Sequence, residues 1–199
     1  IRVRKVREEY APYDSKCTNH WPNTTLYTSL KDTYSTANFK NTVNYKIYLG
    51  TYALHFTSAE WYTAERGNTP GATAKESYNS ATSFIGSVGL IYISDYGYAV
   101  LASDCPRTKK PYNYDETAAC YNNNWLYQGS STFQWLISPN SSTDSYVLVV
   151  DKFGYISDSY YTGDSIFSSD DTSFSPVMAL RSDVVVTGSG TQSEPYVMQ

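Results

Sequence analysis

The chain has 199 residues, 41% of them hydrophobic and 17% charged, with a formal net charge of -4; that length holds one large domain, expected over residues 1–199, with a substantial core. Beyond the segment IRVRKVRE the basic residues are scattered, so no stripe of Lys and Arg exists to displace counterions from phosphates, and nucleic acid is not an expected partner. No apolar run approaches the roughly 20 residues that cross a bilayer, so no membrane contact by this chain is expected.

Taken in chain order, residues 1 to 9 read as a strand with a solvated face. Asn23 is placed to cap a helix carrying Leu26, Leu30 and Tyr34 at i, i+4, i+8. Val43 to Leu49 alternates as a strand. Thr57-Ser58-Ala59-Glu60 is a capping box, predicting a short helix through Trp61 and Tyr62 that stops at Gly67, with Arg66 in its last turn. Pro70 to Ser83, rich in Gly, Ser, Thr and Ala, reads as a surface loop. SVGLIYIS predicts a buried strand, and Asp95-Tyr96-Gly97-Tyr98-Ala99 a turn into another short strand. Further on, NNNWLY, FQWLIS, VLVVD, GYIS, PVMAL and DVVVT are strand candidates separated by turns. Helices early and strands late predict an α+β chain, with helices packed on one side of a twisted, mostly antiparallel sheet.

The three cysteines are Cys17, Cys105 and Cys120. The last two bracket PRTKKPYNYDETAA, which has little apolar material to order itself. A disulfide there would close a loop of about 15 residues and contribute on the order of 3 kcal/mol, leaving Cys17 free or paired elsewhere. Neither CxxC nor HxxxH spacing occurs, and His20 and His55 stand far apart, so zinc is not expected. Asp164, Asp170 and Asp171, with Ser168 and Ser169, carry oxygen ligands of the kind calcium takes. Their spacing matches no EF-hand loop, so neither a metal nor any other cofactor is expected.

Tyrosine outnumbers phenylalanine 21 to 7, and much of it lies among Ser, Asp, Asn and Thr between the apolar runs. Tyr brings a large, rigid face and one hydroxyl at low entropic cost, while Ser and Asn add adaptable hydrogen bonding, the chemistry of binding surfaces. Tyr is also a good strand former, so any one of them can equally be sheet surface. The richest stretch runs from Asn140 to Phe174. Within it the candidate contact residues are Tyr146, Tyr155, Ser157, Asp158, Ser159, Tyr160, Tyr161, Asp164 and Ser165, whereas Tyr62, Tyr92, Tyr96, Tyr98 and Tyr127 are expected to pack or turn.

Catalysis finds little footing in the sequence. Glu65-Arg66-Gly67 reads as a helix end more readily than as an acid beside a guanidinium. Asp95 reads as a turn cap rather than a general acid or base, and neither histidine adjoins a nucleophile elbow. Trp21, Trp61, Trp125 and Trp135 are of the type that stacks on sugar rings, but Trp61, Trp125 and Trp135 stand in patterned apolar segments and are expected in the core.

Several segments together carry a resemblance. They are Trp61 to Gly67, Val88 to Ala99, Cys105, Tyr112-Asn113-Tyr114-Asp115, Cys120, Asn124 to Tyr127, Gln134 to Pro139 and the closing FSPVMALRSDVVVTGSGTQSEPYVM. In order and approximate spacing the chain resembles a bacterial family of surface and pilin-associated modules of gut Firmicutes type, with the C-type-lectin and formylglycine-generating-enzyme superfold. It departs from the family at Ser175, where an Arg usually precedes the late Pro-Val pair. The resemblance implies a C-type-lectin-like fold, a bridge between Cys105 and Cys120, and extracellular or cell-surface display, with the chain, which begins at Ile1, a mature product or fragment of a longer precursor. It lends fold and not activity, because the paired-cysteine copper site of the enzymes has no counterpart after Cys120. It implies a non-enzymatic, adhesin-like module whose 140 to 174 region contacts protein or glycan. Some related bacterial and phage proteins are diversified there by retroelements that mutate adenines, and codons derived from AAC give the Tyr, Ser, Asp, Thr, Gly, Asn and Phe seen in this stretch. The alternative is a structural, pilin-like subunit.

Overall fold

Tyr-Val-Leu-Val-Val at 146–150 is a strand with no polar alternation, and the structure gives the reason. The computed structural model describes residues 2–4, 19–33, 41–48, 55–65, 79–86, 88–127, 129, 133–139, 146–161, 172–179, 185–189, 194 and 197–198. Helices α1 (Thr25–Thr33), α2 (Ser58–Ala64), α3 (Ile93–Tyr98) and α4 (Ala118–Asn122) are short, and 3-10 turns occupy Trp21–Asn23 and Pro111–Glu116. Strands β1 (Arg2–Arg4), β2 (Asn41–Tyr48), β3 (Asn79–Gly86), β4 (Gly89–Leu90), β5 (Phe133–Pro139), β6 (Tyr146–Val150), β7 (Ile156–Tyr161), β8 (Thr172–Phe174), β9 (Pro176–Ala179), β10 (Val186–Thr187) and β11 (Val197–Met198) complete the described elements. The chain is therefore α+β. Its strands pair as β7-β6-β5-β8, β1-β9-β4, β2-β3 and β10-β11, antiparallel throughout except where β5 runs parallel to β8.

Both faces of the β7-β6-β5-β8 sheet are covered. On β5 and β6, Phe133, Trp135, Ile137, Val147 and Val149 join a cluster with Trp21, Leu26 and Leu30. Leu136, Leu148 and Val150, on the opposite parity, join another with Trp61, Ile93, Tyr96, Tyr114 and Cys120. Successive strand side chains point to opposite faces, so β6 needs apolar residues at every position from Val147 to Val150, as strands buried on both sides do. The expected single helical layer is thus corrected: α1 covers one face, and α2, α3 and the disulfide-linked segment cover the other. Nor are helices confined to the first half, since α4 follows β4 and both β2 and β3 precede it.

Capping chemistry sets the helix starts. At α2 the box is complete: the Thr57 hydroxyl accepts from the Glu60 N–H at 3.2 Å and the Glu60 carboxylate accepts from the Thr57 N–H at 2.8 Å. The helix ends at Ala64 with Glu65 as its C-cap; Arg66 and Gly67 lie outside the described residues, as do Cys17 and Tyr34. At α1 the cap is Thr24, whose hydroxyl accepts from the Tyr27 N–H at 3.1 Å, because the expected cap Asn23 closes the preceding 3-10 turn.

The described segment from Val88 to Ala99 differs from expectation. Only Gly89–Leu90 is strand, paired with β9, and the expected turn at Asp95 is helix α3. Two carboxylates satisfy its opening N–H groups. Glu65, 1% exposed, accepts from Ile93 at 2.9 Å and Ser94 at 3.2 Å, and Asp95 accepts from Tyr92 at 2.9 Å. Negative charge there is favoured by the helix dipole. Gly97 is a close-approach residue inside the helix, for a Cβ at that position would meet the Ser58 hydroxyl oxygen of α2 at 2.5 Å. Two further expectations change: residues 79–83 of the supposed 70–83 loop belong to β3, and NNNWLY is the end of α4 and a following turn rather than a strand.

Candidate binding face

The hairpin from Tyr146 to Tyr161 carries most of the candidate contact residues, and its turn is built from local chemistry. Gly154 N–H donates to Asp151 O at 2.9 Å, Asp151 N–H donates to Tyr155 O at 2.7 Å, and the Asp151 carboxylate accepts from Phe153 N–H at 2.9 Å. Gly154 has φ +83°. This is a type I turn followed by a left-handed residue, a common three-residue hairpin connection. Two tyrosines clamp the turn from the helical side: Tyr96 donates to Gly154 O at 2.7 Å, and Tyr127 donates to Lys152 O. Burial, with Tyr114 and Tyr127 nearby, pushes the Tyr96 hydroxyl well above its ordinary pKa.

Across the hairpin Tyr146 stands opposite Tyr161, Val147 opposite Tyr160, Val149 opposite Ser157 and Val150 opposite Ile156. From Ser157 to Tyr160 β7 advances three residues while β6 advances two, so Asp158 and Ser159 fall in a bulge. Bulges re-aim neighbouring side chains and are frequent on strands at sheet edges, and among the described residues β7 is the edge of its sheet. Tyr146 and Ser157 are half-buried. Tyr155 is half-buried too, beside the 3-10 turn Pro111–Glu116: burial, then the Asp151 and Asp115 carboxylates, raise its hydroxyl pKa. Tyr112 on that turn meets His55 edge-on, with ring centroids 5.8 Å apart. The hairpin thus gathers Tyr146, Ser157, Asp158, Ser159, Tyr160 and Tyr161 on adjoining strands and Tyr155 at the end of the turn between them. Asp164 and Ser165, with Ser168, Ser169, Asp170 and Asp171, lie outside the described residues. Among the described residues no three His, Cys, Asp or Glu side chains group as metal ligands, and no helix is long and apolar enough to cross a membrane.

The remaining candidate positions are structural. Cys105 and Cys120 are joined by a disulfide, with Cα atoms 4.9 Å apart. Tyr92, Tyr96 and Tyr114 are buried; the Tyr114 hydroxyl lies 2.8 Å from the Ser58 hydroxyl, and its pKa is raised by burial. Tyr62 and Tyr98, expected to pack or turn, are 43% and 41% exposed. Their rings meet at a tilt with centroids 5.3 Å apart, and the Arg107 guanidinium lies 4.4 Å over the Tyr98 ring. Arg107 is held there by donation to Gly97 O and Val100 O, both at 2.8 Å.

Tryptophan gives the largest departure from the sequence reading. Trp21, Trp61 and Trp135 are 0%, 3% and 3% exposed, whereas Trp125, expected in the core, is 56% exposed. Phe153 at the hairpin tip and Leu101 are also exposed. The signal available in the sequence was Asn122-Asn123-Asn124, a run that favours turns and lifts the next residue out of any strand. No protein-family model, curated protein or solved structure matches the chain.

Proposed function

We propose that the chain is a non-enzymatic binding module of C-type-lectin-like fold, displayed outside the cell or on its surface, that contacts protein or glycan through the β6–β7 face. The observation that carries this reading is the hairpin itself. A sheet buried on both faces is a stiff platform, and its edge strand bears the run Ser157-Asp158-Ser159-Tyr160-Tyr161 beyond a turn locked by Tyr96 and Tyr127. Binding residues on a rigid scaffold avoid much of the ordering cost of association. Aromatic anchors flanked by small hydrogen-bonding residues are the usual composition of such faces.

Short helices with mostly antiparallel strand pairs support the C-type-lectin-like part of the proposal, and the Cys105–Cys120 bridge supports an oxidising location. An edge strand also tolerates substitution on its outer side, which suits retroelement diversification of this stretch. A protein and glycan array probed with the wild-type chain and with a variant carrying Tyr155→Ala, Tyr160→Ala and Tyr161→Ala tests the reading. Retention of a ligand by the wild type and its loss in the triple variant are expected; no retained ligand, or equal retention by both, removes the assignment.

The alternative, a pilin-like structural subunit, draws on the same edge, because exposed strand edges pair with further strands. Sedimentation across a wide concentration range separates the two. Self-association that the triple variant abolishes favours assembly, and a monomer at every concentration favours ligand binding.

A further inference from the structure

Trp125 stands on a frame too well fixed to be an incidental surface residue. Its backbone N–H donates to Ala99 O at 2.9 Å. The preceding Asn124, 4% exposed, donates from its side chain to Tyr96 O at 2.8 Å and accepts from Leu126 N–H at 3.0 Å. Against this turn lies a second one, Leu101 to Cys105, closed by donation from Asp104 N–H and Cys105 N–H to Leu101 O at 3.0 and 2.9 Å. The two turns are joined at the surface by the Asn123 amide, which donates to the Asp104 carboxylate at 3.0 Å. The Cys105–Cys120 disulfide ties the second turn to α4, which leads into the first. Ser103 donates to the other Asp104 oxygen at 3.3 Å.

We propose that Trp125, Asp104 and Asn123 form a binding site for a neutral hexopyranose, a second site on the same module, distinct from the β6–β7 face. The inference rests on the reading of the chain as a binding module. A pyranose ring has an apolar C–H face and a rim of hydroxyls, so it needs an exposed flat aromatic surface beside fixed acceptors and donors. Trp125 supplies the first. The Asp104 carboxylate is an acceptor with lone pairs left over, and the Asn123 amide offers its carbonyl oxygen and its second N–H; set side by side, they match two adjacent hydroxyls. Because both side chains are already oriented by their mutual bond, little freedom is lost on binding. The carboxylate disfavours acidic sugars. A peptide partner would read a strand edge or a groove, and this site is a pair of abutting turns.

The tryptophan distribution supplies the assay. The other three indoles are buried, so a sugar-induced change in accessible tryptophan emission reports Trp125. The full chain is titrated with glucose, galactose, mannose and N-acetylglucosamine while emission and acrylamide quenching are followed, and the same chain is probed on a glycan array. A saturable blue shift with protection from acrylamide is expected for at least one sugar. On the array, Trp125→Ala is expected to weaken retention of neutral glycans at least tenfold, and Asp104→Ala to do the same without removing the reporter indole. Both variants should melt cooperatively.

Absence of any sugar response in solution or on the glycan array overturns this site; a protein ligand retained on the combined protein and glycan array would leave the broader reading standing. Sugar binding that survives both substitutions but is lost when Tyr155, Tyr160 and Tyr161 are replaced overturns this site and supports the β6–β7 face. Absence of every ligand class removes both.

Discussion

Gly154 and Gly129 make a matched pair for testing how the candidate hairpin is held. Both have positive φ, +83° and +90°, so alanine at either costs the left-handed backbone penalty of roughly 1–2 kcal/mol. They differ in surroundings. A Cβ at Gly154 would lie 2.4 Å from the Tyr121 Cβ and 2.8 Å from its Cγ, whereas a Cβ at Gly129 meets nothing within 4 Å. The Tyr121 Cβ is fixed to its backbone and cannot swing aside as a side-chain tip can, so the hairpin turn must move. Such overpacking costs about 1–3 kcal/mol, and the movement also strains the Tyr96 bond to Gly154 O. Gly129→Ala should therefore destabilise by about 1–2 kcal/mol and Gly154→Ala by about 2–5 kcal/mol. Urea unfolding followed by circular dichroism gives the comparison, with the difference appearing in the midpoint at unchanged slope. Equal midpoints for the two variants would refute the close packing of this turn on α4.

Other consequences are open to simple measurements. Reducing the Cys105–Cys120 bridge, or replacing both cysteines with Ala, should cost on the order of 3 kcal/mol for a separation of 15 residues, read as a lower melting temperature; an unchanged melt would mean the loop is ordered without it. Burial raises the Tyr96 and Tyr114 hydroxyls above the unfolded value of about 10. Their neutral forms then stabilise the fold fully below about pH 10, and that stability is lost as pH rises through the raised values. The urea midpoint should fall above about pH 10, less steeply in Tyr96→Phe, and a midpoint constant to pH 11 would contradict the assignment. Thr57→Ala removes one half of the α2 capping box and should cost about 1 kcal/mol, whereas Thr57→Ser should restore most of it; equal losses would discount the cap.

What the sequence revealed was chemistry acting over a few residues. Thr57 and Glu60 declared their helix because both partners of a capping box lie within one turn, and Trp135 to Ile137 and Val147 to Val150 declared strands through uninterrupted apolar content. What it hid depended on distant partners. Asp95-Tyr96-Gly97 carries turn residues, yet it is helical because Glu65, 28 residues from Ile93, supplies a second carboxylate to its N-terminus, and because Ser58 leaves Gly97 no room for a Cβ. Trp125 resembled a core residue since Trp125, Leu126 and Tyr127 form a short apolar run; the backbone bond to Ala99 O and the Asn124 bond to Tyr96 O that fix its turn are made to a distant segment. The candidate face was legible as composition. Its geometry, an edge strand with a bulge at Asp158 and Ser159, required the pairing with β6.

Amide hydrogen exchange on the chain bound to its strongest protein ligand from the array tests the central claim most directly. Outward N–H groups on an edge strand exchange readily until something covers them. Added protection is expected across Tyr146–Tyr161, greatest from Ser157 to Tyr161, with β2 and β3 unchanged. Protection confined to other segments, with β7 exchanging as fast as in the unbound chain, would contradict it.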